Sequence, residues 1–593
     1  MPTDKPSLLP VTNQTNEKHS SGPTYHLSVK TCDVIDPDYG RAGPSTRHAK
    51  SHLKGLLSLG AVTSVALVVL ASSSDTACLS SAISRLPSTS SVSSVVRWAT
   101  GYDSSVHELR YQDEACRHRP QETSLEIDDW IDEERDISHR AILDNIGPRA
   151  GAIPGLVIAS PSKSHPDYFY SWTRDSALTF STIFDRFLPG PNSTAYAHGD
   201  PSLEPLIREY IHAQGNLQLL SNPSGTFLDG GLGEPKFEVD GTAFHNSWGR
   251  PQRDGPPLRA MVVSQYAEYL LDRKEPFDST YINENIYNPK TVMAKGSILK
   301  SDLEYTAHNW HRNSFDLWEE INGLHFFTLL ASRVALERGA ALATRLSDPG
   351  AASFYTQEAN AITDRLELFW SPDRNFISAT IDAPRFGRSG LDSALILAFL
   401  HAGEQGDGVW GIAGERALST LISYVDSFKN GLYKINDVPG DGWNGAIAVG
   451  RYSEDVYNGD GMSLANPWYL CTFGVAEMIF RIAIHFEKVD QIPITPISLH
   501  FWQNVYPSAK SGDVYQRGDG VYEHVLEKLA GWADGFLLIG KSFEGPEGSF
   551  TEQFSRLDGT PTGAKKLTWS YASFIEATNG RNEYRHISAL KRD

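Results

Sequence analysis

The sequence predicts an all-α catalytic region, a helical barrel or toroid, preceded by a polar N-terminal stretch and one apolar segment. Three observations carry this expectation. Apolar residues recur at helical spacing from about residue 130 onward, convincing alternating strands are few, and no heptad or short internal repeat organises the helices.

The elements follow in chain order. Residues 1–54 are polar and rich in Ser, Thr, Pro and charge, the composition of a disordered tail. Residues 55–71, from Gly55 to Ala71, form an apolar run of 17 residues without a charge, with Arg47, Lys50 and Lys54 before it and Asp75 after it. That length is near the lower limit for a membrane-spanning helix, and the basic flank predicts a signal-anchor with residues 1–54 in the cytosol. The expected protein is single-pass and type II, with its bulk in a vacuolar or other lumen or outside the cell. The alternative is secretion after cleavage near Ala71, where small residues follow the run. Residues 72–125 read as a Ser-rich stem, and 126–593 as the catalytic domain. Asn192-Ser193-Thr194 is a glycosylation sequon in a Pro- and Gly-containing loop, so Asn192 is a candidate acceptor in a lumenal domain.

Composition narrows the partners. Lys and Arg number 53 against 72 Asp and Glu, a net charge of −19, which repels phosphate backbones and argues against nucleic acid. The four cysteines, Cys32, Cys78, Cys116 and Cys471, are too few and too scattered for a disulfide framework or a zinc site. With the tail in the cytosol, Cys78, Cys116 and Cys471 leave at least one thiol unpaired. Aromatic residues make up 11% of the chain, enough for a large core or for stacking on sugar rings.

Within the catalytic domain Phe180, Ile183, Phe184 and Phe187 repeat at i, i+3, i+4, i+7, as do Phe327, Leu330, Ala331 and Val334. Further helices are expected at 391–402, 468–484, 521–530 and 567–577. The connecting loops hold the chemistry-bearing residues. Tyr168-Phe169-Tyr170-Ser171-Trp172-Thr173-Arg174-Asp175 stands immediately before a helix, and Gly233-Glu234-Pro235-Lys236-Phe237 leads into Ser247-Trp248-Gly249-Arg250-Pro251-Gln252-Arg253-Asp254-Gly255-Pro256. Asp316-Leu317-Trp318-Glu319-Glu320 is expected to open a helix. Gly450-Arg451-Tyr452-Ser453-Glu454-Asp455 precedes Asn466-Pro467-Trp468, and Thr551-Glu552-Gln553-Phe554 lies in a last loop.

Any one of these loops has an ordinary structural explanation, such as a staple, a first-turn acid or a bracing ion pair. Five loops of the same character do not, because Trp–carboxylate–Arg clusters are costly to bury for stability alone. They suit an oligosaccharide pocket, with rings for the apolar sugar faces and charged groups for hydroxyls. Glycoside hydrolysis needs one carboxylic acid to protonate the leaving oxygen and a carboxylate opposite it. Glu319, flanked by Trp318 and Glu320, suits the acid, because a neighbouring anion and an apolar wall keep a proton on it. Local chemistry does not distinguish Glu319 from Glu320, nor single out Glu552 among the acidic loop residues.

The five motifs, in this order and over about residues 130–590, closely resemble glycoside hydrolase family 15, the fungal and yeast glucoamylases. The resemblance implies a six-hairpin (α/α)6 toroid with a pocket at one end, and release of β-D-glucose with inversion from the non-reducing ends of α-1,4-linked (more slowly α-1,6-linked) glucans. It implies no metal and no cofactor. By motif, Glu319 looks like the general acid and Glu552 like the general base. Arg174 and Asp175 match the grip on the terminal glucose, Trp248 the cover over the cleavage site, and Tyr168 and Trp172 the pocket lining. Glu320, Arg451 and Trp468, together with Trp318, fall where the family contacts substrate.

The sequence departs from the family pattern in three places. Residues 458–465 make a longer insert than in the common mould enzymes. Phe554 stands where many members have Tyr, which predicts one hydroxyl fewer near the base. No starch-binding domain follows the last helix, so soluble dextrins or glycogen are expected as substrates rather than granular starch.

Overall fold

The computed structural model describes residues 124–188, 199–384, 387–404, 406–438 and 442–592. The tail, the apolar run 55–71, nearly all of the stem, the Asn192 sequon, Cys32, Cys78 and Cys116 lie outside the described residues.

Among the described residues, twelve helices have ten or more residues. They are α1 (Ser124–Asp144), α2 (Thr173–Phe187), α3 (Glu204–Gln218), α4 (Gly255–Arg273), α5 (Ile298–Asn309), α6 (Phe326–Arg345), α7 (Pro349–Leu366), α8 (Ser393–Ala402), α9 (Glu415–Asp426), α10 (Tyr469–Val489), α11 (Gly520–Phe543) and α12 (Thr568–Arg592). The even-numbered helices form a closed inner ring, in which α2 packs on α4, α4 on α6, and so on to α12, which returns to α2. Each odd-numbered helix lies outside a ring member: α1 on α12, α3 on α2, α5 on α4, α7 on α6, α9 on α8 and α11 on α10. This is the six-hairpin toroid.

Burial explains which helices periodicity can find. An inner helix is covered by its ring neighbours and by its outer partner, so it is apolar on most faces. In α8 all residues but His401 are buried, and α10 is buried almost throughout. Tyr469–Val489 is also the one helix among the described residues long and apolar enough to cross a membrane, and here it is a core wall of the ring. Cys471 sits on it as a buried free thiol, its pKa pushed up by burial.

The expected helices are present, with α11 and α12 running well beyond the expected 521–530 and 567–577. One expectation is corrected. The Asp316–Glu320 motif does not open a helix. It forms a turn between β3 (Ser314–Phe315) and β4 (Asn322–His325), and α6 starts only at Phe326. The cause is local: the Asp316 side chain accepts the backbone N–H of both Glu320 and Ile321, each at 2.7 Å, and so closes a turn in place of a helical one.

Further short strands staple the loops at one end of the ring together. β1 (Ser171–Trp172) pairs with β2 (Lys236–Phe237), β4 with β5 (Thr380–Ile381), and β6 (Gln553–Phe554) with β7 (Pro561–Thr562), all antiparallel. All of these lie on the loops that lead into inner helices or pair with them, so one end of the ring carries the rigid loop layer.

Candidate active site

The motif residues named above lie on or beside the loops that lead into inner helices. Trp172 is the N-cap of α2, Asp254 of α4, His325 of α6, Asp392 of α8 and Trp468 of α10, and Glu552 precedes α12. Six helix N-termini converge there, and their unpaired N–H groups and positive dipole ends explain why acids collect at this end. Asp392 is the direct case, accepting from the Ala394 N–H at 2.8 Å.

The two adjacent glutamates occupy opposite environments. Glu320 is locked: Arg451 donates to it at 2.9 Å, Tyr452 at 2.7 Å, and Arg388 also binds it. Burial works against its charge, yet Arg451 and Arg388 hold the carboxyl below the usual range. Glu319 instead accepts from the Trp172 indole at 2.6 Å and the Gln252 amide at 2.9 Å, with Arg174 Nη2 at 3.9 Å. Its backbone is left-handed, φ 68°, a conformation costing a non-glycine residue about 1–3 kcal/mol and typical of functional turns. Gly249 lies against that turn, where a Cβ would come within 2.8 Å of the Glu319 carbonyl oxygen.

Arg174 is buried and doubly held, donating to Gln252 at 2.7 Å and Asp254 at 2.9 Å. Asp175 beside it is lifted by burial to about 6, against the pull of Arg174. Arg451 is clamped bidentately by Asp455, both contacts at 2.7 Å.

Rings line the same space. Tyr168 and Trp172 meet edge to face at 5.8 Å, and Trp172 and Trp248 at 6.0 Å. Trp318 donates its indole N–H to Asp392 at 2.8 Å, and lies 5.4 Å from Trp468 and 6.3 Å from Trp569. The insert 458–465 stands beside the site. It closes on itself as a tight tongue, with Ser463 N–H bonded to the Val456 carbonyl at 2.6 Å, and Asp460 reaches His165 at 3.2 Å.

Glu552 is fully enclosed, 0% exposed, and is bonded by Tyr168, the ring that meets the Trp172 partner of Glu319. Burial pushes its carboxyl up to about 8. Hydrogen bonding from Tyr168, the Ala564 N–H and Tyr457, together with the charge of Arg451, pulls it back. Its Oε1 has no hydrogen-bond partner among the described residues. Phe554 turns into the core against Tyr469 at 4.6 Å and Phe543 at 5.4 Å, while Tyr457 supplies a hydroxyl beside Glu552 and bonds Tyr168 at 2.9 Å.

Several residues at the site were not singled out in the sequence. Gln252 and Asp254 sat inside a quoted loop without a distinguishing mark. Lys236, whose amine lies over Trp248 at 3.5 Å and Tyr170 at 3.9 Å, braces the aromatic wall by cation–π contact, and burial lowers it to about 8. Arg388 had no sequence signal at all.

Aromatic rings gathered around two carboxylates in unlike settings, with charged groups for hydroxyls, are what an enzyme that acts on carbohydrate needs. The glycosyl hydrolases family 15 model matches residues 133–579. Among relatives, the probable glucoamylase of Schizosaccharomyces pombe is 38% identical over 77% of this chain and 92% of its own length. The solved glycoside hydrolase family 15 glucoamylase of Hypocrea jecorina is 38% identical at a TM-score of 0.69, covering 77% of this chain and 72% of its own. The solved glucoamylase of Saccharomycopsis fibuligera is 32% identical at a TM-score of 0.68, covering 77% and 96%. The chain therefore belongs to glycoside hydrolase family 15.

Proposed function

We propose that this chain removes single glucose units from the non-reducing ends of starch-, glycogen- or dextrin-type α-glucans, with Glu319 as general acid and Glu552 as general base. The observation that carries the assignment is the contrast between the two carboxyl groups. Glu319 is 19% exposed and supported by neutral donors, so it can reach a glycosidic oxygen. Glu552 is enclosed with a free acceptor oxygen, so it acts on substrate through a water. Trp172 donates to Glu319 while Tyr168 bonds Glu552, and the two rings lie 5.8 Å apart, which supports a carboxyl pair with room for a water between them.

In this mechanism Glu319 gives its proton to the oxygen leaving C1 of the terminal glucose. Glu552 takes a proton from water as that water attacks C1 from the opposite face, and β-D-glucose departs. Arg174 and Asp175 bind hydroxyls of the terminal glucose, Trp248 covers the scissile bond, and Tyr168 and Trp172 line the first pocket. Glu320, Arg451, Trp318 and Trp468 receive the next glucose. Substrate specificity is supported by the relatives named glucoamylase. The apolar run 55–71 with its basic flank supports a membrane anchor that displays the domain in a lumen or outside the cell.

The test is the anomer first released from maltoheptaose, read by proton NMR, together with Glu319→Gln. Initial β-glucose and a loss of roughly 10²–10⁴ in kcat with maltose binding retained are expected. Initial α-glucose sinks the inverting mechanism, and near-normal turnover sinks Glu319. Carbonate extraction of membranes tests the anchor, with release into the soluble fraction counting against it.

A further inference from the structure

The ring encloses a second cavity, of about 170 Å³, between the inner helices and away from the helix N-termini. Asp185 and Arg338 stand exposed at its mouth, and Trp569 closes its floor. Trp569 stacks on Trp318, the residue before Glu319, so two rings separate this well from the catalytic pocket.

Its wall is unusual for a helical core. Thr182 is 2% exposed, yet its Oγ1 has no hydrogen-bond partner among the described residues. The atoms Gln265 Oε1, His401 Nε2 and Glu576 Oε1 likewise have no hydrogen-bond partner among the described residues, and all four residues line the well. Buried polar atoms are costly to leave unpaired, at about 1–3 kcal/mol each, so four around one space point to something that pairs them.

The charges narrow what that is. Three acidic side chains, Asp185, Glu477 and Glu576, share the lining with two guanidiniums, Arg338 and Arg481; desolvation by the surrounding walls and the neighbouring Glu576 hold Asp185 well above the usual carboxyl range, and Arg481 binds Glu477 at 2.6 Å and lies 3.8 Å from Glu576. An anion would meet the carboxylates, and a small cation would meet the guanidiniums. A neutral molecule carrying several hydroxyls meets neither objection. Its O–H groups donate to Glu576, Gln265 and His401 while its oxygens accept from Thr182 and Arg481, and its carbon face rests on Trp569 and the leucines of the floor.

We infer that this axial well is a second, non-catalytic binding site for a small neutral polyol of monosaccharide size. It does not depend on the roles given to Glu319 and Glu552.

The test uses the full chain and xylitol as probe, with a crystal structure at half-molar xylitol and a calorimetric titration in solution. Xylitol in the well, bonded to Thr182 and Glu576, is expected. The double variant Thr182→Val with Gln265→Met should weaken that binding at least about tenfold while kcat on maltose stays within about twofold. If the double variant does not fold, Ala572→Leu, which narrows the well, decides the matter in the same way. Water alone in the well, binding at crystal concentration only, or affinity unchanged by these variants would overturn the inference.

Discussion

At the residue scale, the central fact is that two neighbouring glutamates have been given incompatible surroundings. Glu320 sits between Arg388 and Arg451 and stays ionised, so it cannot donate a proton; Glu319 has uncharged donors and a cationic guanidinium only at 3.9 Å. The sequence Trp-Glu-Glu contains no trace of this, because Arg388 and Arg451 arrive from loops 68 and 131 residues away. The motif order made Glu319 and Glu552 readable as a pair, but only through resemblance. The enclosure of Glu552 leads to a pH prediction. A base must be ionised, so activity falls as pH drops through its pKa. Tyr457 lowers that pKa, and Tyr457→Phe should raise it. Losing one hydrogen bond to a carboxylate, about 1.5 kcal/mol, moves the acidic limb of kcat/KM upward by about one pH unit. An unmoved limb in the pH–rate profile would detach Tyr457, and with it Glu552, from the base role.

Elements were legible in proportion to how one-sided they are. The apolar stripe of α2 and the long apolar run of α10 stood out. Helix α5 did not, because its buried face carries Lys300, Asp302 and Glu304. That face is held by a polar cluster: Arg259 of α4 forks onto Asp302 at 2.7 and 2.8 Å, and Gln214 and Gln218 of α3 complete it. Periodicity arguments assume apolar interiors, so helices sewn together this way escape them. Removing one partner leaves a buried charge unpaired, and Arg259→Met should cost about 3–5 kcal/mol, seen as a lower Tm, with KM unchanged. The turn carrying Glu319 predicts a complementary result. Gly249→Ala places a methyl 2.8 Å from the Glu319 carbonyl oxygen, so kcat should fall at least tenfold while Tm moves little. Equal kcat in the two proteins would mean that the turn tolerates displacement.

For the whole molecule, the ring decides where chemistry can sit. Inner helices all present their N-termini to one end, and short strands together with the Trp468–Gln553 bridge tie the loops there to one another, which is why motifs far apart in the chain converge. Ring closure itself is not visible in any local stretch of sequence. It depends on α12 meeting α2 and α1, through contacts such as Asn145 Nδ2 with Thr568 Oγ1 at 2.9 Å and the Trp130 ring against Phe574 at 5.3 Å. A chain ended before Thr568 should lack a closed ring, and is expected in the insoluble fraction on expression; a soluble, cooperatively melting product would contradict that.

This closure also sets a timetable. During synthesis the apolar wall of α10 leaves the ribosome well before the helix that seals it, since α12 comes last. At about 5–20 residues per second, several seconds pass in which α10 has emerged and its final neighbour has not. The nascent protein therefore spends that interval with adhesive surface uncovered, and contacts joining residues more than 400 positions apart form only at its end. Conditions that slow elongation late in the message, or that crowd the exit site, should reduce the yield of this fold more than they reduce its stability once made.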